Sequence, residues 1–182
     1  MNRPLTEVFS KGASETGIWQ TEIIHRYVLG VYELQSRITK AFPHVLLENC
    51  ASGGGRFDPG MLYYSPQIWC SDNTDALIRM KIQYGTSYAY PTRCVGAHVS
   101  SVPNHLTGSI TRLRTRGFVA MCGTFGFELD IAAATQKDLL TFQNQVSLFR
   151  KIAPIIRYGD MFRIWNPFKV CNCCNELCWR WN

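Results

Sequence analysis

Apolar residues recur at three- and four-residue spacing through Ile23, Ile24, Tyr27, Val28, Val31, Leu34 and Ile38. One stripe on a 3.6-residue repeat marks a helix that lays a single face on a core. The spacing predicts a helix over 20–40, opened by Thr21 as a cap and stopped ahead of Pro43. The run "HVLLENC", 44–50, has the short, unbroken apolar character of a buried strand. A glycine loop follows, and "PQIWCSD", 66–72, repeats the pattern as a second strand. The loop, "GGGRFD", lacks the G-x-G-x-x-G spacing of a dinucleotide fingerprint, and no helix is expected behind it.

Helical spacing returns in "TDALIRMKIQYG", 74–85, with Ala76, Leu77, Met80 and Tyr84 on one side. A weak third strand is expected over 94–101. A third helix over 107–123 would turn Ile110, Leu113, Gly117, Phe118 and Met121 inward. A fourth strand over 124–131 would carry Phe125 and Phe127 at strand period. Thr135 with Asp138 three residues on has the form of a capping box. It opens a long helix that aligns Leu139, Phe142, Val146 and Phe149. "RYGDMFRIWNPF", 157–168, breaks the alternation with a turn and then Met161, Arg163 and Trp165 at alternate positions, as in the first strand of another domain. Strand–helix alternation implies an α/β chain with a parallel sheet and right-handed crossovers. A closed barrel and an open doubly wound sheet both satisfy it, and both put chemistry at the carboxyl ends of their strands.

The chain has 182 residues, 46% of them hydrophobic, enough for one domain with a real core. No window approaches the ~20 apolar residues of a membrane span. The opening "MNRPLTEVFS" lacks the form of a secretory signal, so the expected location is the cytoplasm. A net charge of +6 permits an acidic partner without requiring one. Its one local cluster, Arg112, Arg114 and Arg116, is expected on a solvated helix face, with no nucleic-acid partner. Four of the eight cysteines, Cys171, Cys173, Cys174 and Cys178, crowd the tail. The spacing of Cys174 and Cys178 makes zinc conceivable, but no second ligand pair accompanies it, and no metal is expected.

Local sequence leaves several polar residues open to two readings. Asp72 follows an apolar strand and precedes a helix, so it is either an N-cap or a catalytic carboxylate. Asp75 falls in the first helical turn and is expected to be structural, or to support a neighbouring site residue. Ser52 to Gly55 form either a tight turn or a loop that lets backbone approach a ligand. Trp69 is either a core residue or a platform for a sugar face. Arg56 and Asp58 are expected to pair within the loop. His98 lies in a loop-rich stretch and is a candidate for ordering it.

The motifs "MNRPLTE", "HRYVLGVYEL", "FPHVLLENCASGGGRFDPGMLYYSPQIWCSDNTDA", "QYGTSYAYP", "GAHVSSVPNH" and "GTFGFELD" together resemble bacterial α-galactosidases of glycoside hydrolase family 36. The likeness runs from residue 1 to about 169. It implies the C-terminal half of a (β/α)8 TIM barrel over 1–156, the first strand of a C-terminal β-domain over 157–169, and a non-matching cysteine-rich tail over 170–182. It also implies retaining hydrolysis of terminal α-galactosyl residues from melibiose- and raffinose-type oligosaccharides, with no metal or organic cofactor. Retention needs two carboxyl groups about 5–5.5 Å apart, one a nucleophile and one an acid/base. The family's "W-C/T-S-D" motif places the acid/base on Asp72. Its nucleophile motif, "K-W-D-M-N-R", places the nucleophile one position before Met1, which implies a fragment inactive by itself. Matching positions make Asn2, Cys50, Ser52, Gly53 and Trp69 sugar-binding residues. The family also implies a homo-oligomeric parent, commonly a tetramer. A non-catalytic carbohydrate-binding or oligomerisation remnant and an α-galactosyl transglycosylase are the competing expectations.

Overall fold

The computed structural model describes residues 11–12, 15–53, 55, 57–164, 166–168 and 179–181. Asn2, Arg56, Trp165 and the four tail cysteines lie outside the described residues. Contacts divide the chain into two compact units, 1–68 and 69–182. No helix among the described residues is long and apolar enough to cross a membrane.

The first unit holds α1 (Gln20–Ala41), β1 (Glu48–Asn49), α2 (Pro59–Tyr64) and β2 (Gln67–Ile68), with β1 and β2 paired in parallel. Helix α1 begins at Trp19 with no side-chain cap, so Thr21 does not have the capping role its residue type suggested. The strand expected over 44–50 shrinks to two residues. Val45 and Leu46 are 53% and 82% exposed, because the chain leaves α1 through a turn in which the Val45 amide bonds the Phe42 carbonyl. A short helix does follow the glycine loop. Asp58 caps α2 by accepting from the Met61 amide at 2.9 Å, and Pro59 occupies the first turn, where its absent N–H costs nothing. Tyr32 donates to the same carboxylate at 2.7 Å and ties α1 to the loop. That bond, with burial and the Asp58 charge, pushes the phenol up to about 12.

The buried residue of α1 is polar. Gln35, Asn49 and Ser65 form a closed ring from α1, β1 and the end of α2. Gln35 Nε2 donates to Asn49 Oδ1 at 3.0 Å, and Asn49 Nδ2 donates to Gln35 Oε1 at 3.2 Å and to Ser65 Oγ at 2.6 Å. Met61 packs its sulfur on the same pair. A buried amide costs free energy unless its bonds are made, so this ring fixes how the three elements meet. The aliphatic stripe beside it is only partly covered, with Ile24 and Leu34 48% and 57% exposed.

The second unit runs α3 (Ala76–Thr86), a 3-10 turn (Thr92–Cys94), β3 (His98–Ser100), α4 (Leu113–Ala120), β4 (Gly126–Glu128), α5 (Gln136–Tyr158), β5 (Met161–Arg163) and β6 (Trp179–Trp181). Strands β3 and β4 pair in parallel across the α4 crossover. Strand β5 pairs antiparallel with β6. Two successive parallel pairs with helical connections give the partial TIM barrel that the alternation allowed.

Ala97, Val99 and Ala120 are fully buried, and Leu113, Phe125, Phe127 and Leu129 close over them. Phe125 stacks on Phe149 at 4.8 Å and Phe127 meets Phe142 edge-on at 5.0 Å, joining the β4 region to α5. The capping box is present: Thr135 and Asp138 satisfy each other's backbone amides. The third helix is shorter than its pattern. Ile110 is 75% exposed, since 107–112 leaves a turn without entering a helix and α4 begins only at Leu113. Phe125 has φ 52°, so it turns the chain into β4 instead of alternating within it. Leu77 is 49% exposed; the inward face of α3 carries Arg79 and Gln83. Arg116 is not solvated: it donates to the carbonyls of Thr111 (3.1 Å) and Ser100 and secures the end of β3. The turn after α4 runs so close to the 3-10 turn that a Cβ on Gly123 would stand 2.5 Å from the Val95 carbonyl oxygen.

Asn49→Ala removes two bonds from the buried Gln35 amide and the 2.6 Å bond from Ser65, leaving both under-satisfied in a closed site. The expected loss is about 1–3 kcal/mol, visible as a lower denaturation midpoint with the urea slope unchanged.

Candidate active site

Both parallel pairs end in polar loops, as the barrel plan requires. In the first unit β1 runs out at Asn49, and Cys50, Ser52 and Gly53 follow in one turn. Cys50 is half-buried and Ala51 fully buried. Ser52 and Gly53 both adopt positive φ, 49° and 70°, and the Gly55 amide closes the turn on the Ala51 carbonyl at 3.0 Å. Left-handed backbone suits Gly53 and strains Ser52.

In the second unit the loop Trp69–Asp75 leads into α3, and its two aspartates have opposite surroundings. Asp75 is the N-cap of α3. One carboxylate oxygen accepts from the amides of Leu77 (2.8 Å) and Ile78 (3.3 Å), and the other accepts from Thr107 Oγ1 (2.6 Å) and Ser109 Oγ. Burial pushes this carboxyl up, but the bonds from Ser109, Thr107 and the two amides outweigh it and leave it below its ordinary range. A carboxylate with every lone pair so engaged is structural. Asp72 is exposed, caps no helix, and accepts one bond from Trp69 Nε1 at 3.2 Å. Of the two, Asp72 is the group available to exchange a proton with a ligand.

Trp69 is half-buried and engaged on its ring: His98 stacks at 4.7 Å and 18°, and the Arg79 guanidinium lies 4.6 Å from the ring centroid. His98 sits on β3 and not in a loop. Its Nδ1 is buried without a hydrogen bond, 3.8 Å from Glu128 Oε2 on β4. Arg79 is 4% exposed. It donates to the Ser71 carbonyl (3.2 Å), the Gly96 carbonyl and Gln83 Oε1 (3.1 Å). Burial pulls the guanidinium below its ordinary value, opposed by Cys70 and Glu128; burial pushes the neighbouring Cys70 thiol up, so that it stays neutral.

The structure thus brings Trp69 and Asp72 into one bonded pair and sets Cys50, Ser52 and Gly53 on one turn. Arg79 and His98 were not singled out for this role from sequence. The signal for Arg79 was present: positions 76, 79, 80 and 83 share a helical face, and two of them are polar. No cluster of three or more metal-ligating side chains occurs among the described residues.

Residues 1–159 match the family model described as Melibiase. Over 179 residues the chain is 49% identical to alpha-galactosidase AgaA of Geobacillus stearothermophilus, covering 98% of this chain and 24% of that protein. It is 48% identical over 168 residues to the bifunctional alpha-galactosidase/sucrose kinase AgaSK of Mediterraneibacter gnavus, covering 92% of this chain and 17% of that protein. The chain therefore spans no more than about a quarter of the length of these relatives. Among solved structures, the GH36 alpha-galactosidase AgaA of G. stearothermophilus superposes with a TM-score of 0.78 at 52% identity, over 81% of this chain and 20% of that one. Variants of AgaA have been solved with raffinose and with stachyose. The galactosidase domain of AgaSK gives a TM-score of 0.80 at 50% identity, over 82% and 21%.

Asp75→Asn is expected to destabilise the chain by at least about 1 kcal/mol at neutral pH. A depressed carboxyl contributes stability above its unfolded pKa and loses it as pH falls through the folded value. The gap between wild type and variant, measured by urea denaturation, should therefore narrow steadily below about pH 4.

Proposed function

The chain belongs to the Melibiase family, and from that premise we propose that it supplies the acid/base side of a retaining α-galactosidase site. The substrate class is the terminal α-galactosyl residue of melibiose- and raffinose-type oligosaccharides. Asp72 first gives its proton to the departing glycosidic oxygen and then takes one from the incoming water. Cys50 and the Ser52–Gly53 turn, with Asn2, hold the galactose; Trp69 lines the site and orients Asp72. The observation that carries this reading is the contrast between the two loop aspartates, one consumed by a helix cap and two hydroxyls, the other open to solvent with a single indole donor.

A retaining site needs a second carboxyl about 5–5.5 Å from the first, on the opposite sugar face. In the second unit Asp75 is tied up, and Glu128 faces His98 and Ser100. The nucleophile on this reading comes from residues other than those described, and the chain alone does not complete the double displacement.

The test is a hybrid in which residues 1–168 replace the matched segment of the Geobacillus enzyme. The isolated chain should leave an aryl α-galactoside intact, and the hybrid should hydrolyse it with net retention. Asp72→Asn in the hybrid should lower turnover of raffinose by about 10²–10⁴-fold. Its kcat/KM for an aryl galactoside with an acidic leaving group should fall far less, because that group departs without a proton, while kcat still drops as the second step loses its base. Full raffinose activity in the Asp72→Asn hybrid would remove Asp72 from the mechanism. Saturable galactose binding by the isolated chain, with no activity from the hybrid, would favour a carbohydrate-binding module.

A further inference from the structure

We propose that Arg79 is a positioning residue for the acid/base carboxylate: through Trp69 and the Ser71 carbonyl it fixes the direction from which Asp72 meets the glycosidic oxygen. The inference rests on the acid/base reading of Asp72 given above. Arg79 makes no bond to Asp72, and its effect is transmitted through the three residues that precede it.

The contacts of Arg79 converge on that short loop. Its guanidinium lies over the Trp69 ring and holds the Ser71 carbonyl at 3.2 Å. A third contact, to the Gly96 carbonyl, joins the loop to the root of β3. From that strand His98 stacks on the same indole. A fourth, to Gln83, returns to α3, and Gln83 in turn donates to the Val119 carbonyl at the end of α4 at 3.1 Å. The loop is thus fastened to α3, β3 and α4 by one buried cation and its neighbour. Asp72 stands exposed within the loop, and among the described residues the Trp69 Nε1–H is the side-chain donor that holds it. An exposed Asp otherwise samples its staggered χ1 wells freely. Holding the indole therefore holds the carboxylate.

A planar fork is needed for this. Guanidinium reaches several carbonyls in fixed directions while its face lies on an aromatic ring; a lysine ammonium does neither. A merely structural buried arginine would scatter its bonds over the core, whereas here two of the four contacts fall on residues 69–71 and a third, to Gly96, ties that loop to β3.

The test uses isotope-labelled chain and reads the three-bond couplings that report χ1 of Asp72. Wild type should give the couplings of one staggered rotamer, and Arg79→Lys and Trp69→Phe should give averaged values. In the hybrid, Arg79→Lys should lower kcat on raffinose about ten- to a hundredfold with KM little changed, and should spare kcat/KM for the activated aryl substrate. Wild-type couplings and raffinose turnover in Arg79→Lys would overturn the proposal. Should Arg79→Lys fail to fold, the unmutated chain still decides: the Arg79 side-chain N–H groups must exchange slowly with solvent, and fast exchange with free rotation would overturn it. Loss of the catalytic reading shows separately, as an Asp72→Asn hybrid that keeps its raffinose activity while the couplings still respond to Arg79.

Discussion

A buried guanidinium that makes no ion pair among the described residues organises the second unit. Removing a charge from water is costly unless its hydrogen-bond directions are filled. Arg79 meets that demand with two backbone carbonyls, one glutamine and an indole face. The acceptors are backbone groups of a loop and of a strand root, so the demand dictates main-chain path as well as side-chain placement. The loop before Asp72 can be irregular and still be held, because its Ser71 carbonyl and Trp69 ring both meet one buried cation. Asp75 works from the other end of the same loop, where amides and hydroxyls gather on its carboxylate and fix the first turn of α3. Between these two anchors Asp72 is left exposed.

The first unit uses neutral groups for a similar end. Its strands are two residues long and give few ladder bonds, so the register of β1 beside α1 and α2 depends on the amide ring of Gln35, Asn49 and Ser65. Asn49 immediately precedes Cys50, and the ring therefore sets the point from which the sugar-side turn departs. In both units buried polar contacts stand directly behind the loops that carry the candidate chemistry, beside apolar packing that in the second unit centres on Val99 and the phenylalanines of β4 and α5.

Helices with strong periodicity were legible from residue order alone. Helix α1 and the capped start of α5 fall within a residue of their expected bounds, because spacing and capping are local properties. Strand positions were legible but their lengths were not: apolar runs such as 44–50 mark where a barrel strand lies, while pairing depends on neighbours that a linear pattern does not contain. Helix α2 was hidden by its brevity, although Asp58–Pro59 carried its start signal. At the site, motif resemblance singled out Asp72, and local sequence left it level with Asp75 as a cap. Only three-dimensional geometry separates the two, through Thr107 and Ser109, which lie more than thirty residues downstream of Asp75. Arg79 was obscured by the habit of assigning charged residues to solvent.

The amide ring also bears on how such a chain drifts over generations. An aliphatic core accepts one neutral exchange at a time, since a methyl group gained or lost is felt gradually. A closed circuit of donors and acceptors is less forgiving: altering Gln35 alone costs Asn49 two bonds, and altering Asn49 alone costs Ser65 its shortest one. Positions from three separated stretches of the sequence are thereby bound to change in concert or not at all, and their joint fixity should outlast that of the more hydrophobic residues around them.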